Sequence, residues 1–277
     1  MIAARLVDLG AALLLAFAFA SAGALLLGET PRDLRSWNRH FIVGATLAAA
    51  LLFPLSLLFG AWTLRIVLAG LLAGSAVQVI QAIRRRGLSS LLLSIVRPFG
   101  TERLSLVSWL LLAALALCAL DFTAVSLRET YAWDGFDIWA SKAMVLLHHG
   151  RLTPELWPPS ASPHFNVTRV VNYPPLVPLY EALLATLRGG FDWNTLKPVF
   201  PIFFVSLLIS LYQAGRALGG RVPALAGVLL VALLPLVAGR TSIGGYADMP
   251  LAAVLAAVLA CVLEPGWWER GLRAAFP

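Results

Sequence analysis

Apolar residues run along this chain in long blocks, divided by short polar segments that carry most of the arginines. A helix needs about 20 apolar residues to cross the hydrocarbon core of a bilayer. Blocks at 9–28, 41–60, 64–83, 104–122, 198–217, 222–239 and 247–264 approach that length. The one long interruption, 123–197, has shorter helical patterns of its own. Phe136, Trp139, Ala140, Ala143, Met144 and Leu147 recur at three-and-four spacing, which predicts an amphipathic helix in the membrane interface with its tryptophan at headgroup depth. Pro174 and Pro175 cannot stand in mid-helix, and the apolar stretch after them predicts a second short helix. The pattern therefore predicts an all-α integral membrane protein of about seven transmembrane helices, with a folded external loop carrying interfacial helices. Its parts are a four-span region at 1–122, the loop at 123–197 and a three-span region at 198–277.

Composition agrees. With 60% hydrophobic and 13% charged residues, the chain has too little polar surface to cover a water-soluble globule. The formal charge of +7 rests almost wholly on arginine, since Lys142 and Lys197 are the only lysines. In a membrane chain such an excess encodes topology; no nucleic-acid motif accompanies it, and no nucleic-acid partner is expected. If 123–197 is outside, the inner connections and C-terminal tail hold 12 basic residues, against Arg5, Arg65 and Arg240 in the short outer ones. The expected topology is N-terminus out and C-terminus in. A competing reading makes 1–20 a cleaved signal peptide, with Ala18-Phe19-Ala20 as the cleavage site, but it would export the arginine-rich 29–40 connection. Cys118 and Cys261 both lie in apolar blocks, where a thiol behaves as a small hydrophobe. Arginine-rich, lysine-poor usage fits a bacterium with GC-rich codons, and the expected location is its inner membrane, with the loop facing the periplasm or exterior.

Three outer segments carry the candidate chemistry. The first, 129–143, sets Trp133, Asp134, Asp137 and Lys142 among apolar residues. Helix capping is the plain explanation of the aspartate pair. The second places Arg169, Asn172 and Tyr173 just before the two prolines, where an extended backbone holds polar side chains in place. The third, 239–250, has Arg240, Tyr246 and Asp248, the last positioned to cap the final span with Pro250 in its first turn. His148 and His149 suit a helix C-terminus and show no zinc spacing.

The order of these pieces resembles a known family. A Trp-Asp segment with Trp139 and Lys142 behind it, then NYPPLVPL at 172–179, NTLKPVFPIFF at 194–204 and GGYADMPLA at 244–252, is similar to the polyprenol-dependent GT-C glycosyltransferases. Within them it resembles bacterial proteins of glycosyltransferase family 39 and the protein mannosyltransferases. The likeness covers residues 129–264. Many relatives carry the acidic motif after their first span, whereas here it follows the fourth predicted one.

The resemblance implies an enzyme that takes a hexosyl or pentosyl group from a polyprenyl-phosphate donor and passes it to a glycan, lipid or protein acceptor on the outer face. It matches Asp134 to the family's acidic residue that acts on the acceptor, with Asp137 beside it. Chemically, a positioned carboxylate base contributes roughly 10² to 10⁴ in rate, so cations must also stabilise the leaving phosphate. Lys142, Arg169 and Arg240 are the external candidates, although headgroup snorkelling explains Lys142 equally well. Asp137 or Asp248 can face the oxocarbenium-like centre, and Trp133, Asn172, Tyr173 and Tyr246 complete the expected substrate contacts. Displacement by a single base inverts the anomeric centre. No protein metal site is expected beyond the alternative that Asp134 and Asp137 hold magnesium or manganese. The competing class is a transporter or flippase for a lipid-linked or small polar substrate; transporters set ionisable groups within their spans and often show repeats, and no repeat is visible here.

Overall fold

The protein is described by a computed structural model, which defines residues 2–31, 33–86, 104–128, 135–150, 175–193, 196–237 and 246–264, with the side chains of residues 2–4, 86, 136 and 137 outside that description. Every regular element among these residues is helical. They are α1 (Ile2–Leu26), α2 (Leu34–Phe59), α3 (Thr63–Arg86), α4 (Leu106–Arg128), a π-helical turn (Gly135–Ala140), α5 (Ser141–His149), α6 (Leu176–Arg188), α7 (Val199–Gly219), α8 (Arg221–Ala232) and α9 (Asp248–Leu263).

Among the described residues, four apolar helical stretches are long enough to cross a membrane: Arg5–Leu26, Leu34–Arg85, Leu106–Arg128 and Val199–Gly219. The protein is thus a multi-pass membrane protein. The second stretch, 52 residues long, is divided by a short 3-10 turn (Gly60–Trp62) into α2 and α3. Gly60 takes φ 51° there, a left-handed value that glycine adopts without steric penalty. α8 and α9 are shorter, at 12 and 16 residues. The block predicted as one span at 222–239 ends its helix at Ala232, just before Pro235. Proline has no N–H and its ring collides with the carbonyl four residues back, so the helix stops short.

Helix ends otherwise follow local chemistry. α2 opens on a capping box in which Asp33 Oδ1 accepts from Ser36 N at 2.9 Å and Ser36 Oγ accepts from Asp33 N at 3.1 Å. α4 runs on to Arg128, six residues past the predicted boundary, because nothing in 123–128 breaks a helix. α1 begins well before its predicted start at residue 9 for the same reason.

α1 lies at the centre of the packing, antiparallel to α2 and in contact with α3, α6 and α7, while α7 packs on α8 and α9. Small residues allow the closest approach. A Cβ on Gly23 would run into the His40 carbonyl, and one on Gly44 into the Phe19 carbonyl, so the two backbones meet directly.

The external loop departs most from expectation. α6 is no interfacial helix: residues Val177–Ala185 are all buried, wedged against α1, α2, α3 and α7. Its Tyr180 hydroxyl donates to the Ala12 carbonyl at 2.6 Å, and its ring sits 5.0 Å from Phe19, 6.4 Å from Phe41 and 6.0 Å from Phe203. A helix that is apolar nearly all round buries itself rather than lying half in water. α5 packs along α6, and its C-terminal Gly150 abuts the α2–α3 turn so closely that a Cβ would overlap the Gly60 carbonyl. Arg188, closing α6, pairs through Nε with Asp8 Oδ1 of α1 at 3.0 Å. Together these contacts gather the start of α1, the α2–α3 turn and the loop helices at one end of the bundle.

Candidate functional site

At that end a groove of about 620 Å³ opens between four segments. One wall is α2, where Thr46, Ala49 and Ala50 present short side chains; the opposite wall is α9, with Pro250, Leu251 and Val254. Ile138 and Trp139 of the π turn and Pro175–Val177 at the start of α6 close the top, where Tyr246, Ala247 and Asp248 form the rim. Thr46, Ala50 and Leu251 are exposed, so the groove is open on its side as well as at its mouth. Its volume lies within the range of about 300–1,000 Å³ usual for small-molecule sites.

Local sequence accounts for each wall. The small side chains of Thr46, Ala49 and Ala50 leave room that larger ones would fill. Pro175, with φ −80°, is the N-cap of α6 and turns the chain into that helix. The π turn adds a residue per turn relative to an α-helix, a device frequent at functional sites.

The groove brings together parts of all three candidate segments: Trp139 from the first, the Pro-Pro junction at Pro175 from the second, Tyr246 and Asp248 from the third. Asp248 is the first residue of α9 rather than its cap, a position taken by Ala247. The carboxylate remains favourable to the helix's positive end. It is exposed at the rim and has no hydrogen bond or ion pair among the described residues.

Two other expectations need correction. Trp139 is 7% exposed and belongs to the hydrophobic core rather than to a surface at headgroup depth. Lys142 does not snorkel: it is 1% exposed, with Nζ 5.5 Å from the centre of the Trp139 ring. Burial lowers its pKa from the usual lysine value to about 8. The buried face of α5 contains Lys142, Ala143 and Leu146, about one position round from the predicted stripe, because α6 covers it from a direction the isolated pattern does not reveal.

Asp137 lies in the π turn next to Ile138, with its side chain outside the described residues. Trp133, Asp134, Arg169, Asn172, Tyr173 and Arg240 are likewise outside them. Among the described residues, no three His, Cys, Asp or Glu side chains gather as a metal site.

Sequence reasoning missed the α2 wall, whose only signal is the run of small residues in an apparent plain span. It also missed that Glu181 and Lys197 are completely buried, joining Lys142 as ionisable groups inside the fold. Their signal was available: both lysines of the chain stand in segments rich in apolar neighbours. Buried charges of this kind require partners, and all three residues have them. Comparison with protein-family models, curated proteins and solved structures finds no match.

Proposed function

We propose that this chain is a membrane glycosyltransferase that moves a sugar from a polyprenyl-phosphate donor to a glycan, lipid or protein acceptor at the outer face of a bacterial inner membrane. The observation that carries the reading is the groove's composition along its length: a carboxylate and a phenol, Asp248 and Tyr246, stand at its rim, and below them run the apolar walls of Ala49, Ala50, Leu251 and Val254. A prenyl chain suits the second, and the hydroxyls of a sugar can donate to the carboxylate and exchange hydrogen bonds with the phenol of the first. The resemblance of 129–264 to the GT-C enzymes points to the same chemistry.

In this reading α2 and α3 cross separately and the two shorter helices, α8 and α9, complete seven crossings, with the N-terminus and the α5–α6 region outside. Asp134 takes the proton of the acceptor hydroxyl as that oxygen bonds to the anomeric carbon. The bond from this carbon to the phosphate oxygen breaks, and polyprenyl phosphate leaves with the electron pair. Asp137 or Asp248 offsets the positive charge that develops on the sugar, while Arg169 and Arg240 take the leaving phosphate in their planar forks. One displacement gives an inverted product.

A photoreactive polyprenyl phosphate tests the groove directly. Crosslinks are expected on α2 near Ala49 and on α9 near Leu251, and Ala49→Trp is expected to abolish them by filling the space. Labelling confined to the opposite end of the bundle, or unaffected by Ala49→Trp in a folded protein, would exclude the groove as the donor site.

A further inference from the structure

At the end of the bundle opposite the groove, the start of α2 and the ends of α7 and α9 enclose a second pocket, of about 430 Å³. Three guanidinium groups, from Arg35, Arg39 and Arg216, line it, together with the carboxylates of Asp33 and Glu264. We propose that this pocket binds a phosphate group of net negative charge, of the kind carried by an anionic phospholipid headgroup and not by a zwitterionic one.

The arrangement of the charges supports an anion. Asp33 is already committed to the α2 cap through Ser36 N, and its Oδ2 takes Arg35 Nη2 at 3.0 Å. Glu264 approaches Arg39 Nη1 only to 3.8 Å, while Arg39 reaches Glu29 with its other nitrogen. The lining carries three cations against two carboxylates, with Glu29 outside it as Arg39's other partner, and it lies at the positive end of α2, whose backbone adds to the attraction for an anion. Guanidinium forks match phosphate oxygens in pairs. The remaining lining, Ser36, Gln213, Ala217, Ala260 and Cys261, is uncharged, and its alanines and cysteine lie on α7 and α9 beside the apolar residues of those helices, where acyl chains would lie. Positive-inside topology explains why arginines accumulate at this end, but not why three of them surround a cavity. Arg84 and Arg85 satisfy the same rule on α3 and are not part of the pocket. The inference is independent of the glycosyltransferase reading. Basic pockets between membrane helices are established sites for lipid headgroups.

Cys261, half-buried in the pocket wall, provides a reporter. Its alkylation rate would be measured on the full chain with Cys118→Ser, in nanodiscs of phosphatidylcholine alone, of phosphatidylcholine with phosphatidylglycerol, and of phosphatidylcholine with glycerol 3-phosphate in solution. Phosphatidylglycerol is expected to slow alkylation. The Arg35→Gln/Arg216→Gln pair is expected to weaken that protection about 30-fold, from about 1 kcal/mol for each arginine near the surface. Arg84→Gln/Arg85→Gln removes the same net charge and is expected to leave protection unchanged. Protection by glycerol 3-phosphate, equally sensitive to the pocket pair, would support the phosphate site and assign its source to the soluble ester. Equal rates in all three conditions overturn the proposal, as does protection that both pairs weaken alike. Circular dichroism and tryptophan fluorescence verify that each variant is folded; if the pocket pair is not, Arg216→Gln alone, expected to weaken protection about fivefold, takes its place.

Discussion

Tyr180 offers the sharpest test of how the loop helix α6 is held. Its ring is completely buried among Phe19, Phe41 and Phe203, from α1, α2 and α7, and its hydroxyl donates to Ala12 of α1 at 2.6 Å. Tyr180→Phe removes only the hydrogen bond and is expected to destabilise by about 1 kcal/mol. Tyr180→Ala removes the ring as well. Truncating a buried aromatic costs about 3–5 kcal/mol, and three neighbouring rings place this site toward the upper part of that range. Leu58→Ala, on a side chain 74% exposed, serves as a control and is expected to change stability by less than about 0.5 kcal/mol. Equilibrium unfolding in mixed detergent micelles, followed by intrinsic tryptophan fluorescence, would give the three differences. A Tyr180→Ala cost near that of Leu58→Ala would mean that α6 lies on the membrane surface, as its sequence alone suggested, and would refute its insertion into the bundle.

Other perturbations have defined outcomes. Gly150→Ala combines a left-handed φ of 67° with overlap on the Gly60 carbonyl, whereas Gly189→Ala has φ 77° and open space; in the same unfolding assay Gly189→Ala is expected to lose about 1 kcal/mol and Gly150→Ala clearly more. Lys142 is protonated in both folded and unfolded chains below pH 8, where its burial penalty is fully present; between pH 8 and its ordinary value of 10.5 only the unfolded chain keeps the proton, so stability rises with pH. The advantage of Lys142→Met over the native protein is therefore expected to shrink as pH rises through that window, by up to about 3 kcal/mol, and a constant difference would contradict the burial of the amine. Asp248→Asn removes a rim carboxylate whose only support is to the start of α9, so donor turnover should fall while stability drops by no more than about 0.3–1 kcal/mol. NMR of the glycosylated product is expected to show an inverted anomeric centre; retention would eliminate displacement by a single base.

The membrane class and most long helices were legible because a block of some 20 apolar residues has few alternatives. The breaks at Gly60 and near Pro235 also follow from residue type, although the second was overlooked in favour of a continuous apolar run. The faces of the loop helices were not legible in the same way. Trp139 and Lys142 have the sequence signature of an interfacial helix, and only the arrival of α6 from elsewhere in the chain turns them inward. In the candidate site, the meeting of Trp139, Pro175, Tyr246 and Asp248 could be anticipated from a shared side of the membrane. The contribution of Thr46, Ala49 and Ala50 could not, because small residues in a span look the same whether they pack against a helix or border a groove. Asp134, the expected base, lies outside the described residues, and its assignment rests on the sequence.

Sugar transfer by the purified full chain in nanodiscs, with a panel of radiolabelled polyprenyl-phosphate sugars and with Asp134→Asn in parallel, tests the proposed activity most directly. Transfer, or slow hydrolysis of at least one donor, is expected from the native protein and is expected to fall by about 10² to 10⁴ in the variant. A folded protein that binds donor yet neither transfers nor hydrolyses it, and instead moves it between leaflets, would contradict the glycosyltransferase and establish a flippase.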